Sequence, residues 1–316
     1  MTPIDIEHPE HFHSLPVHTH EPSLPLPAAD AVAWRLECHF DEEMDFDGVW
    51  QRFLDAVDTT RVRALVIGPW WDGDYSPFDP VLDLLVAHAD RFPALRGLFL
   101  ADVVGEECEV SWLPVGDITP ALDAFPLLEE LTARGCGQEG LELRPVRHTA
   151  LRALRLESGG LPGEVVRSVA ASELPALERL ELWFGSTWYG GDATLADIRP
   201  VLSAGTFPRL RHLGLQNSEF QDEIAAAVAS APVVAQLETL ALSMGTLGDA
   251  GGEALLNGQP LNHLTTLDLR HHYLTGPVLE RIKKSCAPAA VADDKADEDF
   301  GDEDEDDPER YVAVSE

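Results

Sequence analysis

Apolar residues recur along this chain in a fixed rhythm, three positions apart and then two. The stretch FPRLRHLGLQNSEF (207–220) shows the rhythm in Leu210, Leu213 and Leu215. A degenerate first copy, AWRLEC, supplies Ala33, Leu36 and Cys38. The same spacing returns in VRALVI, LRGLFL, LEELTA, LRALRL, LERLEL, LETLAL and LTTLDL, whose middle residues are Leu65, Leu98, Leu131, Leu154, Leu180, Leu240 and Leu267. Nine copies of one pattern indicate an internal repeat.

The spacing also predicts the structure of each repeat. The last two apolar residues of a copy lie two positions apart, as in a short strand that points both to one face of a sheet. A helix-like segment follows, for example in 247–258 and 274–285, where apolar residues have helical spacing. One such unit cannot cover its apolar face, but stacked units can. We therefore expect an α/β solenoid of about nine repeats, with a parallel sheet on its concave face and helices on its convex face.

This pattern resembles the leucine-rich repeat superfamily, and its strand–helix units are similar to the ribonuclease-inhibitor-like subfamily. The resemblance covers residues 33–285. The sequence departs from the family at the Asn/Cys position that follows each strand, where only Cys136 fits. The resemblance implies a horseshoe that binds a partner protein, with no chemistry of its own and no cofactor. An inhibitor of a toxic enzyme would be one such protein.

Three regions are expected: an N-terminal cap (1–32), the repeat array (33–286) and an acidic tail (287–316). Six prolines disfavour helix before residue 31, so we expect an extended cap over the first repeat. The apolar spacing in 45–58 predicts a helix of that first repeat. Beyond Pro288 the acidic chain predicts disorder up to residue 309. Its last residues, RYVAVSE, are either an unstructured end or a motif that docks on a partner or back on the array.

The net charge of the chain limits the classes of partner that it is expected to bind. The formal net charge is −34, of which residues 293–316 contribute about −11. A surface this acidic repels phosphate backbones and anionic membranes, which argues against nucleic acid and membrane as partners. It favours a basic protein partner or simple solubility. We expect a monomer.

Several features favour a bacterial, cytoplasmic protein. Residues 1–20 lack the pattern of a secretion signal, and no stretch has the length and apolar composition of a membrane span. The sequence contains 19 arginines and 3 lysines, which is typical of GC-rich bacterial genomes. The four cysteines have no metal or disulfide spacing, so we expect reduced and mostly buried thiols. They are Cys38, Cys108, Cys136 and Cys286.

Catalytic chemistry has little support in the sequence. No phosphate-binding glycine loop, dinucleotide fingerprint or nucleophile elbow occurs. We therefore expect a protein without enzymatic activity. The alternative is a metal-dependent factor or enzyme that uses the histidine-rich N-terminus, which could present imidazoles to a metal ion. These residues are His8, His11, His13, His18 and His20.

The candidate partner site combines three loops with the concave face. Longer repeats place extra residues just after the strand, in 69–80, 102–117 and 184–194, which brings them to one edge of the sheet. Aromatic rings dominate many protein interfaces, so we expect a recognition surface there, unless each ring only fills a gap under its own loop. The candidate residues are Trp71, Tyr75, Trp112, Trp188 and Tyr189 in the loops, with Trp183 and Arg155 on the concave face.

Matching register also predicts two charged pairs on the concave face. Arg155 should face Glu181, and Arg134 should face Glu157. Such pairs either neutralise one another or form a charged patch for the partner.

Overall fold

The computed structural model describes residues 6–21, 25–38, 44–71, 76–136, 140–296 and 310–315. These ranges contain twelve strands and eight α-helices. The strands are β1 (His11–Phe12), β2 (Leu15–Thr19), β3 (Ala33–Leu36), β4 (Ala64–Ile67), β5 (Gly97–Leu100), β6 (Glu130–Arg134), β7 (Ala153–Glu157), β8 (Arg179–Gly185), β9 (His212–Ser218), β10 (Thr239–Ala241), β11 (Thr266–Asp268) and β12 (Ala290–Ala292). The helices are α1 (Phe46–Ala56), α2 (Asp79–Ala87), α3 (Thr119–Ala124), α4 (Gly163–Ala171), α5 (Leu195–Ile198), α6 (Gln221–Val228), α7 (Asp249–Leu256) and α8 (Gly276–Cys286).

All twelve strands form one sheet whose strand order follows the chain order. Only β1 and β2 pair in antiparallel fashion among them; every later neighbour is parallel. The middle leucines of the repeats pair directly with one another, from Leu65 on β4 to Leu267 on β11. The predicted α/β structure, with parallel strands centred on these leucines, is confirmed.

The first copy of the repeat is displaced by two residues from its expected position. Trp34, rather than Leu36, pairs with Leu65, and Leu36 pairs with Ile67. The indole of Trp34 is fully buried against Phe53, with ring centroids 5.6 Å apart, and its Nε1 donates a hydrogen bond to the carbonyl of Ala29 over 3.0 Å. A tryptophan therefore occupies the place that leucine takes in the other repeats.

The helices cover one face of this sheet. The leucines of the strands share one core with the apolar faces of the helices, as in α1, where Trp50 and Phe53 are fully buried. Asp45 caps that helix by accepting a hydrogen bond from the amide of Gly48 over 2.9 Å. The expected helices in 45–58, 247–258 and 274–285 are present as α1, α7 and α8. All four cysteines are buried thiols, as expected. None of the helices in the described ranges has the length and apolar composition needed to cross a membrane.

The opposite face of the sheet, called the open face here, carries the side chains that alternate with the leucines. Its N-terminal half is covered by the hairpin of β1 and β2. Phe12 of the hairpin lies 5.8 Å from the ring of Phe99 on β5, between centroids, and closes a small cluster with Ala64 and Val66 of β4. The cap was expected over the first repeat alone. It reaches further because Phe12 is shielded from water by packing against the apolar side chains of β4 and β5.

Parts of the expected acidic tail belong to the folded structure, so the boundary predicted at residue 287 was wrong. Strand β12 extends the sheet by pairing in parallel with β11, and Ala296 is buried. Residues 310–315 lie against the array with Val312 and Val314 buried. Short apolar residues at alternate positions explain both attachments. The expected disorder at 297–309 lies outside the described residues.

Candidate functional site: an open-face pocket and an aromatic edge

A pocket of about 360 Å³ lies on the C-terminal half of the open face. The N-terminal segment bounds it on one side with Ile6 and Glu7. Strands β6 to β11 and the residues just after them form its floor, through alternate side chains that the leucine spacing leaves pointing away from the helices. These lining residues are Arg134, Arg155, Arg179, Glu181, Trp183, His212, Gln216, Ala241, Met244, Asp268 and Arg270.

The two charged pairs expected from the register are present. Nε of Arg134 lies 2.6 Å from Oε2 of Glu157, and Nε of Arg155 lies 3.4 Å from Oε2 of Glu181. Both pairs join residues that are direct register partners on neighbouring strands. Arg155 also lies over the ring of Trp183, with its guanidinium carbon 5.0 Å from the ring centroid. A cation–π contact of this kind helps to orient both side chains.

Glu181 is the charged centre of the pocket floor. His212 Nε2 lies 2.9 Å and Arg179 Nη1 lies 3.2 Å from its Oε1. Burial alone would raise the pKa of Glu181, but the contact with His212 and the positive charges of Arg155 and Arg179 lower that pKa to about 2. Glu181 is therefore ionised at neutral pH and holds three cationic or ionisable side chains around it.

The charges of the pocket lie in two layers. The arginines Arg155, Arg179 and Arg270 are 40 to 54% exposed, whereas their partners Glu181 and Asp268 are 10 and 12% exposed. The carboxylates thus lie close to the sheet and the guanidinium groups lie outermost. A molecule that enters the pocket meets these guanidinium donors together with the exposed carboxylate of Glu7, on a protein whose net charge is strongly negative.

Two buried polar atoms at the pocket floor lack both a hydrogen bond and an ion-pair partner. Within the described residues, Nε1 of Trp183 and Oε1 of Gln216 are buried without a hydrogen bond. Such groups cost free energy unless something satisfies them. They provide one donor and one acceptor at the floor of the pocket. Sequence reasoning placed Trp183 here but missed Gln216 and His212. Continuing the register of Arg155 and Glu181 onto β9 would have led to the position midway between those two residues.

The described residues of the loop after β4 contribute no exposed ring. Trp71 is buried, and its ring meets that of Trp70 edge to face at 4.8 Å, while Trp70 packs on Phe78 at the same distance. Trp71 therefore fills the interior of its own loop, which corrects its assignment to the partner surface. Tyr75 lies outside the described residues.

The other two loops do present aromatic residues to solvent. Trp112 is 62% exposed and Trp188 is 85% exposed, while Tyr189 is half-buried. Glycines 159 and 160, after β7, lie between the two loops: a Cβ on Gly159 would approach Val110 within 3.2 Å, and a Cβ on Gly160 would collide with the carbonyl of Tyr189. We call Trp112, Trp188 and Tyr189 the aromatic edge.

The turn that carries Trp188 is held from the next repeat. Glu219 accepts hydrogen bonds from the Ser186 hydroxyl at 2.6 Å and from the Thr187 amide at 3.0 Å. Burial would raise the pKa of Glu219, but these hydrogen bonds lower it, so the carboxylate is charged at neutral pH. The ring of Trp188 is thus exposed on a turn whose backbone is fixed.

Two of the N-terminal histidines, His8 and His13, bind carboxylates of the array. His8 Nδ1 lies 3.1 Å from Asp102 and His13 Nδ1 lies 3.0 Å from Glu130. The hydrogen bond with Asp102 raises the pKa of His8 against the lowering effect of burial. Among the residues that the structure describes, no three histidine, cysteine or acidic side chains are grouped so as to hold a metal ion. These histidines anchor the segment that covers the open face.

The fold has a counterpart among solved structures. The crystal structure of a Bacteroides fragilis protein, a structural genomics target, is similar to this chain with a TM-score of 0.74 and 29% sequence identity. The match covers 81% of this chain and 72% of the other. No protein-family model matches this chain, and a search of curated proteins finds no match. The resemblance supports the fold and brings no activity with it.

Proposed function

We propose that this protein is a non-enzymatic interaction module of the leucine-rich repeat type, whose array is a solenoid with the open face as its concave side. The chain-ordered strands and the paired column of leucines support that architecture. It binds a partner protein in the cytoplasm through the open-face pocket and the adjoining aromatic edge. The observation that carries the proposal is the pair of tryptophans, Trp112 and Trp188, exposed on one edge beside an uncovered polar pocket.

The energetics of interfaces favour these residues. Tryptophan, tyrosine and arginine supply most of the binding free energy where interfaces have been scanned, because they bury large areas with few rotatable bonds. Trp188 is presented on a turn that Glu219 already fixes, so binding loses little further conformational freedom. An unpartnered indole exposed to 85% has no stabilising role in the free chain.

The layered charges refine the partner's chemistry. A basic partner remains our proposal for the acidic surface as a whole. At the pocket, the outer guanidinium groups of Arg155, Arg179 and Arg270 favour an acidic group of that partner. The Trp183 indole is available as a further donor at the pocket floor.

Affinity capture from cell extract with site variants tests the proposal. Captured proteins should be lost, or reduced at least about fivefold, with Trp188→Ala, Trp112→Ala and Arg155→Gln, since interface truncations of this kind cost about 1–2 kcal/mol or more. Leu127→Ala is the matched control, because Leu127 is an exposed apolar residue at the opposite edge of the sheet. The site would be refuted if the three site variants still captured the partner and the Leu127→Ala control did not.

A further inference from the structure

The C-terminal residues cross the ends of the strands in a regular way. Tyr311 and Ala313 contact the residues that follow β11 and β10, and Val314 contacts the end of β9, so the segment runs against the order of the strands. His271 Nε2 lies 3.0 Å from the carbonyl oxygen of Tyr311, and Ala313 N donates to the carbonyl of Met244 over 2.7 Å. Residues 310–315, here called the tail segment, therefore contact a different repeat at each step.

The receiving positions are equivalent in three repeats. Asn217, Met244 and His271 are spaced 27 residues apart, and each follows the last leucine of its repeat by two positions. All three have positive φ angles, between 55° and 70°, which non-glycine residues adopt rarely. Asn217 is the last residue but one of β9, and Met244 and His271 lie three residues past β10 and β11, so each turns the backbone near the carboxyl end of its strand, where the tail segment lies. The array thus offers one contact per repeat to an extended peptide.

Asn217 binds the peptide backbone itself. Its Nδ2 donates to the carbonyl of Val314 and its Oδ1 accepts from the amide of Val314 over 3.0 Å. Asn217 is completely buried, so without a peptide at this place its amide would lose both partners. An amide that satisfies the N–H and C=O of one residue reads no side chain, and it suits any extended peptide.

Side-chain contacts supply the selectivity. Val312 and Val314 are buried against the array, while the Arg310 guanidinium lies over the ring of Tyr273 at 5.8 Å from its centroid. Tyr273 Oη also donates to the carbonyl of Tyr311 over 3.1 Å and accepts from its amide over 3.0 Å. The site selects a basic and aromatic start followed by branched apolar residues at alternate positions.

We propose that the strand ends of β9 to β11 form a peptide-binding site, and that the tail segment is a tethered ligand that a partner peptide of similar pattern displaces. Thirteen residues separate Ala296 from the tail segment, a connection that gives a local concentration on the order of millimolar. Ser315 ends beside Gly159, with its carbonyl oxygen 2.7 Å from where a Cβ of that glycine would lie, next to the aromatic edge. Displacement therefore changes the surface at that edge.

A labelled synthetic peptide with the sequence RYVAVS tests the site in the full chain. The double variant Val312→Asp, Val314→Asp should release the tail segment, because each aspartate would be buried among apolar groups. We expect the peptide to bind this variant saturably in fluorescence anisotropy, and at least tenfold more weakly to the wild-type chain. A peptide in which both valines are aspartate should not bind either protein.

Three results would overturn the proposal. The first is that the RYVAVS peptide shows no saturable binding to the double variant. The second is that it binds the wild type and the double variant with equal affinity. The third is that the aspartate peptide binds as well as the RYVAVS peptide. A wild-type dimer that disappears in the double variant would instead assign the tail segment to the site of a second copy. Adding Asn217→Ala to the double variant should weaken binding of the peptide at least tenfold. The melting curve of this triple variant shows whether the array remains folded.

Discussion

The two halves of the open face differ, although they belong to one sheet with continuous register. From β3 to β5 most of its residues are small or apolar, among them Ala64, Val66 and Phe99, and the N-terminal hairpin covers them together with a buried ion pair between Arg35 and Asp102. From β7 to β11 charged and polar side chains predominate in the lining of a pocket. The same backbone therefore supports an internal core on one half and a solvated polar surface on the other.

This contrast shows that the side chains on each half of the open face match what covers that half. The first half already has a partner within the chain: its apolar side chains pack against Phe12, and its buried ion pair between Arg35 and Asp102 is met by His8 of the covering segment. The second half keeps ion pairs such as Arg155 with Glu181, and a cover without polar groups to meet them would desolvate them at considerable cost. A face that retains such groups is adapted to water or to a polar partner.

The largest effect is expected from placing the same charge in each half. Ala64→Asp puts a carboxylate into the covered cluster, where its register partners are Ala33 and Gly97, and should lower the free energy of unfolding by about 3–5 kcal/mol. Thr239→Asp puts it at a partly exposed position of β10, opposite His212 and Thr266, and should cost less than about 1 kcal/mol. Urea unfolding measures both. Equal losses would mean that the two halves are equally closed.

A second effect, of intermediate size, concerns the buried charge of the uncovered half. The pKa of Glu181 falls from 4.5 to about 2 in the folded protein, so its ionised form stabilises the fold above pH 4.5 and this contribution disappears as the pH falls to 2. Glu181→Gln should therefore cost roughly 2–3 kcal/mol at pH 7 and much less at pH 3.

Glu178→Gln is the matched control for that measurement, because Glu178 pairs with Arg152 at the surface. It should change stability by less than about 0.5 kcal/mol at either pH. If Glu181→Gln has the same small effect at pH 7, the ion pairs of the pocket contribute nothing to the fold.

The smallest effect concerns the cover itself. His8 holds the N-terminal segment through Asp102, and its pKa is raised above 6.5. The contribution of its charged form is complete below pH 6.5 and is lost as the pH rises through the raised pKa. Amides of β1 and β2 should exchange a few-fold faster at pH 9 than at pH 6 after correction for intrinsic rates. His8→Gln should remove this dependence, and an unchanged profile in that variant would exclude His8 as the anchor.

Much of the fold was predictable because the leucine spacing is a local signal repeated many times. The parallel strands, the helices and the Arg155–Glu181 pairing all follow from it. The exception was Trp34, which takes a leucine position and is invisible to a search for leucine. The cover was not predictable, since Phe12 and Phe99 are 87 residues apart in sequence.

The candidate site was predicted only in part, because identical residues meet different surroundings. Trp71 finds Trp70 and Phe78 within its own loop and is buried there. Trp188 also has an aromatic neighbour in Tyr189, but two glycines follow it, and the ring of Trp188 is exposed. Comparing the apolar content of each loop would have separated the two tryptophans. The docking of the tail segment depends on three distant strand ends, which no local pattern reveals.

The column of leucines has an evolutionary consequence. Leu213, Leu240 and Leu267 are each 27 residues apart and pair directly, and each strand touches only its two neighbours. Duplication of a 27-residue block of the gene would therefore add one strand and one helix without disturbing the register on either side. The protein can therefore lengthen its open face through unequal recombination. Each added repeat would move the hairpin and the tail segment apart by one strand spacing, so selection can adjust that distance in equal steps.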